Sequence, residues 1–140
     1  LQFRSANTIA RDPFLYKADG KLYLGSRPAK EYDAAGLDKS VKINGSCKVT
    51  LSNDKGEEFV ITYDQKAMTL SCDRSRSGRT DFSPHFDVVA TAPVYKTLTS
   101  LRIFVDNSSI EVFGNNGEVC LTSLVFPSEP LTTLNVTKTK

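Results

Sequence analysis

The chain has 140 residues, the usual length of one domain, and can bury a core without disulfides or a metal. Its net charge of +2, from 18 basic and 16 acidic residues, argues against nucleic acid or an anionic membrane as a partner. No apolar run approaches the length of a bilayer-spanning helix, so we expect a single domain over residues 1–140 with no membrane contact.

Alternating apolar and polar residues, broken by turn residues at short intervals, predict a series of β-strands. The first strands flank Asp19-Gly20, a strong hairpin signal, at 14–17 and 22–24. Further strands are predicted at 47–52, 58–63, 67–72, 101–106, 109–113, 118–126 and 131–137. A polar loop at 73–79, an irregular segment at 80–97 and a short helix-compatible stretch at 29–36 complete the pattern. Many short strands without intervening helices indicate a sandwich or barrel.

One hairpin can be resolved to its register. If Asn107-Ser108 is a two-residue loop, side-chain alternation places on one face the apolar residues Ile103, Val105, Ile110 and Val112. The other face then carries Arg102, Phe104, Glu111 and Phe113. We expect a diagonal salt bridge between Arg102 and Glu111. Exposed phenylalanines on this face suggest a covering partner, or alternatively a local loop of the same chain.

The cysteines and the scattered polar residues offer weak chemistry. Cys47, Cys72 and Cys120 form no CxxC motif and are expected to act as small buried apolar residues, with a Cys47–Cys72 bridge left open. His85 lacks a nucleophile motif beside it. Asp73, Asp81, Asp87 and Asp106 lack the spacing of a calcium loop, and we expect solvated turn residues. The arginines at 74, 76 and 79 favour ion pairs within the protein or between domains.

Two stretches carry a family resemblance. The first is L-S-C-D-R-S-R-S-G at 70–78, and the second is L-R-I-F-V-D-N-S-S-I-E-V-F at 101–113, followed by Asn116-Gly117-Glu118 and Phe126-Pro127. Together they resemble the C-terminal sandwich of the invertase, inulinase and levanase enzymes, glycoside hydrolase family 32. Residues 6–12 resemble the T-I-P-R-E-L segment that opens that domain, and residues 21–31 fit the strand after it. The family has about one more strand before the strand at 47–52, so we expect that an edge strand is lost, or that residues are missing, within 38–46.

The resemblance implies a two-sheet antiparallel β-sandwich of the concanavalin-like jelly-roll type. In that family the catalytic carboxylates all lie in a separate β-propeller, which we expect to precede this chain in a longer protein. Arg11-Asp12-Pro13 looks like the family's catalytic R-D-P motif, but its surroundings match the opening strand of the sandwich, and the partner motifs N-D-P-N and E-C are absent. We therefore expect no catalytic residue, cofactor or metal ligand in this chain.

The implied role is a non-catalytic module that packs against the catalytic propeller of the same polypeptide and stabilises it. The parent enzyme is expected to hydrolyse β-fructosides and to be secreted, periplasmic or at the cell surface. The candidate domain interface comprises Arg102, Phe104, Glu111, Phe113, Arg74 and Arg76. The alternatives are a carbohydrate-binding module for fructan or other glycans, weakened by the lack of tryptophan, and a free-standing lectin or adhesion domain. A homodimer is also left open.

Overall fold

The computed structural model describes residues 7–86 and 88–140, so Ala6, the first residue of the segment 6–12, and Asp87, one of the predicted turn aspartates, lie outside the described residues. The strands are β1 (Arg11–Ala18), β2 (Lys21–Pro28), β3 (Asp38–Lys42), β4 (Cys47–Ser52), β5 (Glu58–Asp64), β6 (Thr69–Arg76), β7 (Val89–Pro93), β8 (Ser100–Val105), β9 (Ser109–Gly114), β10 (Val119–Leu124) and β11 (Thr133–Lys138). One short 3-10 helix spans Lys30–Tyr32. No helix in the described ranges is both long and apolar enough to cross a bilayer.

Two antiparallel sheets form the sandwich that the sequence predicts. The four-stranded sheet has the order β10-β9-β8-β3, and the five-stranded sheet has the order β11-β4-β5-β6-β7. The core lies between them, because one face of each sheet is apolar and must be shielded from water. Its fully buried members include Val49, Leu51, Phe59, Ile61, Tyr63 and Leu70 from one sheet and Leu101, Ile103, Ile110 and Val112 from the other.

The β8–β9 hairpin has the predicted register. Val105 pairs with Ile110, Ile103 with Val112, and Arg102 with Phe113. The predicted core face is confirmed, since Ile103, Ile110 and Val112 are completely buried and Val105 packs against the same cluster. Alternation along two strands joined by a short turn is enough to fix this register.

The N-terminal hairpin β1–β2 forms a sheet of its own. Asp19 and Gly20 both have positive φ, at 47° and 75°, as the tight turn of a two-residue hairpin requires. The Ser26 N–H donates to the Gly117 carbonyl at 2.8 Å, which fastens β2 to the turn between β9 and β10. The hairpin is thus an added layer held on the sandwich.

Two local predictions are wrong. β6 continues to Arg76, through most of the segment expected to be a polar loop. β7 lies inside the segment expected to be irregular. The strand β3 lies within 38–46, and a shortening of this region relative to the family stays a prediction. β3 and β7 lie at sheet edges, where few side chains need to be apolar. Only Val41 in β3 is buried, and β7 has no buried residue, so neither strand shows clear alternation.

The cysteines are free thiols in this structure. Cys47 and Cys72 belong to the core cluster, as expected of small apolar side chains, whereas Cys120 is half-buried. Burial raises the pKa of the Cys72 thiol to about 12, which keeps it protonated and unreactive at neutral pH.

Gly117 offers a test of how closely the hairpin approaches the sandwich. Its φ is +109°, and a Cβ there would lie 2.4 Å from the Ser26 carbonyl oxygen. We expect Gly117→Ala to lower the free energy of unfolding by roughly 1–3 kcal/mol through overpacking, in addition to the cost of its backbone conformation. Gly56→Ala is the matched control, because Gly56 has φ +76° but nothing within 4 Å of the added Cβ. Urea unfolding measures both, and equal losses in the two variants would contradict the close approach.

Candidate functional site: an arginine and aromatic cluster on the outer face of the four-stranded sheet

The predicted interface residues of β8 and β9 lie in one cluster on the sheet face opposite the core. Arg102 is held from the neighbouring segments rather than from β9. Its Nε donates to Asp38 Oδ2 at 3.0 Å, and its Nη1 donates to Asp33 Oδ1 at 2.8 Å and to Asn116 Oδ1 at 3.2 Å. The hydrogen bonds from Arg102 lower the pKa of Asp38, and the same bonds raise the pKa of Arg102.

The aromatic rings of the cluster pack edge to face. The rings of Phe104 and Phe113 lie 5.9 Å apart at an interplanar angle of 85°, and Tyr32 contacts Phe104 at 5.7 Å and 74°. The Arg11 guanidinium lies over the Phe113 ring, 4.9 Å from its centroid. Edge-to-face pairs and a cation over a ring face both match the charge distribution of an aromatic ring.

Glu111 brings a carboxylate into this apolar setting. Its side chain is 4% exposed and forms an ion pair with Arg11. The Ile9 N–H also donates to Glu111 Oε2 at 2.9 Å. Arg11 in turn donates to the Thr122 hydroxyl oxygen at 2.7 Å, and that hydroxyl donates to Glu111 Oε1 at 3.3 Å. A buried carboxylate is tolerated only with such partners, so the segment from Ile9 to Arg11 is fixed against β9.

Two expectations for this face are therefore wrong. Phe104 is 6% exposed and Phe113 is completely buried, so they do not form an open surface. The alternative holds instead, since local segments of the same chain cover them through Arg11 and Tyr32. The expected Arg102–Glu111 salt bridge is not formed. Arg102 pairs with Asp38 and Glu111 pairs with Arg11, because the covering segments place these partners nearer. A role of the cluster in a domain interface stays a prediction, but its rings are not available at the surface.

The remaining candidate arginines lie on β6. Arg74 lies over the Phe86 ring at 3.5 Å from its centroid, and its Nη1 donates to the Leu124 carbonyl at 3.0 Å. Arg76 pairs with Glu58 at 2.8 Å, with its own side chain 69% exposed. The expected ion pairing within the protein is confirmed for Arg76. Participation of either arginine in an interface stays a prediction.

The carboxylates of the cluster are arranged to hold arginines. A general acid at neutral pH needs a raised pKa, whereas Arg102 lowers the pKa of Asp38. Asp12, of the R-D-P triplet, lies exposed on β1. Within residues 7–86 and 88–140, no group of three or more His, Cys, Asp and Glu residues is placed to hold a metal ion. The arrangement of the cluster supports packing and charge neutralisation.

Sequence reasoning missed the partners that complete the cluster. Tyr32, Asp33 and Asp38 come from the short helix and the edge strand, where no periodic pattern marks them. Arg11 belongs to a triplet resembling a catalytic motif and to the segment 6–12 that resembles the opening of the domain, and neither pattern indicates its pairing with Glu111. One signal was available in the sequence. Glu111 lies between Ile110 and Val112 in a predicted strand, and a carboxylate that becomes buried there requires a cationic partner.

A comparison with known families matches residues 18–140 to the family described as "Glycosyl hydrolases family 32 C terminal". A levanase of Bacillus sp. is 39% identical over 79 residues, covering 55% of this chain and 9% of the levanase. An extracellular exo-inulinase of Aspergillus niger is 41% identical over 75 residues, covering 51% of this chain and 14% of the relative. The chain thus spans a small part of the curated relatives it matches.

The crystal structure of an exo-inulinase from Aspergillus awamori superposes with a TM-score of 0.74 at 24% identity. The match covers 94% of this chain and 32% of that one. At this identity the likeness shows the fold, and it supports the sandwich described above.

The Arg102–Asp38 pair predicts a pH-dependent contribution to stability. At neutral pH we expect Asp38→Asn to lower the free energy of unfolding by about 1.5–3 kcal/mol, the range for hydrogen bonds to a charged group. Folding lowers the pKa of Asp38, so this contribution is complete above the unfolded value of about 3.9 and is lost as pH falls through the folded value. Urea unfolding of both proteins across acidic pH measures the difference.

Asp33→Asn is the matched control, since Asp33 binds the same arginine but is 62% exposed. We expect it to cost under about 1 kcal/mol. A difference between wild type and Asp38→Asn that persists unchanged in strong acid would contradict the role of this ion pair.

Proposed function

Because the chain belongs to the C-terminal domains of the glycosyl hydrolases of family 32, we propose that it is a non-catalytic module that stabilises a catalytic domain in the same polypeptide. The parent activity that we propose is hydrolysis of β-fructosides, on the basis of relatives named levanase and exo-inulinase. We place the parent outside the cytoplasm, in line with the relative described as extracellular.

An exposed apolar face on the N-terminal hairpin carries this proposal. Leu15 pairs directly with Leu24, and Leu22 lies two residues before Leu24, so side-chain alternation puts all three on one face. They are 68%, 72% and 62% exposed respectively. A cluster of leucines at these exposures is costly in water and is typical of a surface that another domain covers.

The opposite face of the hairpin supports the same interpretation. Phe14, Tyr16 and Tyr23 lie on that face and are partly buried, and the Tyr16 hydroxyl donates to the Glu118 carbonyl at 2.9 Å. The hairpin therefore packs its aromatic face on the sandwich and turns its leucine face outward. The Arg11–Glu111 pair and the Ser26–Gly117 hydrogen bond hold it in place, so that the leucines form a fixed docking surface.

The size of the relatives supports a catalytic domain as the structure that covers the leucine face. The chain aligns with 32% of the solved exo-inulinase and with 9% of the Bacillus levanase. A parent of comparable length would have ample further structure to cover the leucine face. Docking on a rigid module buries apolar surface of both domains and raises the free energy of unfolding of the pair.

Replacing the three leucines tests the docking surface. Leu15→Thr/Leu22→Thr/Leu24→Thr introduces β-branched residues suited to strands and removes most of the exposed apolar area. In the 140-residue chain we expect a change in melting temperature of only about 2 °C, because exposed positions contribute little. In the parent enzyme we expect the apparent unfolding temperature to fall by clearly more than it does in the 140-residue chain, because the covered interface loses apolar contacts. Calorimetry of both proteins measures this.

Val136→Thr is the matched control, since Val136 is 44% exposed on the edge strand β11. If the leucine substitutions lowered the unfolding temperatures of the 140-residue chain and of the parent enzyme by the same amount, docking at this face would be contradicted. A change in the oligomeric state of the parent, measured by light scattering, would instead assign the leucines to contacts between copies of the protein.

The non-catalytic assignment predicts no hydrolysis by the 140-residue chain. We expect no release of reducing sugar from sucrose, inulin or levan, because Asp33, Asp38 and Glu111 are engaged by arginines. The parent enzyme serves as positive control. Hydrolysis by the chain that survives repurification would contradict the assignment and would direct attention to exposed carboxylates such as Asp12.

A further inference from the structure

A groove of about 530 Å³ lies between the end of the N-terminal hairpin, the turn that joins β5 to β6 and the loop that follows β7. It is lined by Lys17, Ala18, Asp19, Met68, Tyr95, Lys96 and Thr97. Neither the arginine and aromatic cluster nor the leucine face includes a residue of this lining. The groove is open to solvent, and its floor contains an aromatic ring.

Tyr95 is the end of a stack of tyrosines. Its ring lies 3.9 Å from that of Tyr23 at an interplanar angle of 17°, and Tyr23 lies 5.6 Å from Tyr16 at 28°. Tyr95 is still 42% exposed. Because Tyr23 covers one ring face, much of this exposed area must belong to the other face and the ring edge. Tyr95 is thus an aromatic platform fixed from behind, with little conformational freedom left to lose on binding.

The surroundings of the platform are polar and close to neutral in charge. Lys96 forms a salt bridge with Glu118 at 3.1 Å, and Asn115 donates to the Thr97 carbonyl at 3.0 Å. The charges of Lys17 and Asp19 are opposite. With Lys96 neutralised by Glu118, the groove therefore presents hydrogen-bonding groups with little net charge. This combination suits an uncharged ligand that has both apolar C–H faces and hydroxyl groups.

We propose that this groove binds a neutral sugar chain, with one sugar ring stacked on the open face of Tyr95. The flat apolar side of the sugar ring would cover the aromatic face, and its hydroxyls would bond to Asp19 and Thr97. The cavity beneath residues 126–131 is a poorer candidate, because its lining of Val105, Asp106, Asn107, Val125, Pro127, Ser128, Glu129, Pro130 and Leu131 has no aromatic ring. The site does not depend on the proposed docking to a catalytic domain, since Tyr95, Asp19 and Thr97 are not part of the leucine face.

Titration of isotope-labelled 140-residue chain with inulin-type and levan-type oligosaccharides, followed by NMR, maps the site directly. We expect saturable shifts concentrated at residues 17–19 and 95–97. The chain contains no tryptophan, so its tyrosine fluorescence gives an independent affinity for the same ligands. Absence of saturable shifts with both sugar types overturns the proposal. Shifts concentrated around residues 126–131 also overturn it.

Variants of Tyr95 test the stacking contact. We expect Tyr95→Ala to weaken binding by about tenfold or more, since the ring supplies the contact area. Tyr95→Phe should keep the affinity within about threefold, because it retains the ring face. Val136→Ala is the control for exposed substitutions, because Val136 lies on β11, at the edge of the five-stranded sheet opposite to β7. Binding that is unchanged in Tyr95→Ala, with the fold verified by circular dichroism, overturns the assignment to this ring.

The parent enzyme separates this inference from the function proposed above. Sugar binding at Tyr95 predicts that Tyr95→Ala lowers the affinity for long fructans while leaving the unfolding temperature close to that of the unmodified enzyme. A drop in stability of the parent without any change in sugar affinity would instead make the groove part of a domain interface. If the docking proposal holds, the triple leucine variant lowers the unfolding temperature of the parent enzyme and leaves its affinity for long fructans unchanged.

Discussion

The buried carboxylate of Glu111 constrains the outer face of the whole sandwich. A carboxylate that is 4% exposed on a strand must be neutralised and hydrogen-bonded, and Arg11 with the backbone of Ile9 meets that requirement. This single contact brings the N-terminal segment onto β9, next to the Phe113 ring. Arg11 is also the first residue of the N-terminal hairpin, so the same contact anchors one end of the hairpin, and the Ser26–Gly117 hydrogen bond holds β2.

The fixed N-terminal segment separates two kinds of surface. Beneath it, the rings of Phe104 and Phe113 are sealed and contribute to stability through packing. Above the sandwich, the hairpin turns Leu15, Leu22 and Leu24 into solvent. Phe104 and Phe113, which the sequence pattern places on an open face, are thus internal, whereas the leucines that we propose as a docking surface lie on the hairpin. The same covering segments explain why Arg102 pairs with Asp38 rather than with its neighbour across the hairpin.

The proposed roles use separate parts of this architecture. Docking depends on the leucine face, which is rigid because the hairpin is held at Arg11 and at Ser26. Sugar binding depends on Tyr95, which is rigid because Tyr23 stacks behind it at 3.9 Å. Both surfaces gain from preorganisation, since groups fixed before binding lose little conformational entropy on binding. The hairpin contributes to both, through its leucines outside and through Tyr23 at the stack.

The sequence by itself determined the all-β class, the family, the Asp19-Gly20 hairpin and the register of β8 against β9. These are local properties, because turn residues and side-chain alternation act over a few neighbouring positions. It did not reveal the edge strands β3 and β7, whose side chains are mostly solvated, or the cover over Phe104 and Phe113. That cover depends on Arg11 reaching Glu111 across 100 residues of chain. Only the tertiary structure decides which distant segment packs on an outer face, since many pairings of charge and ring are compatible with one sequence pattern.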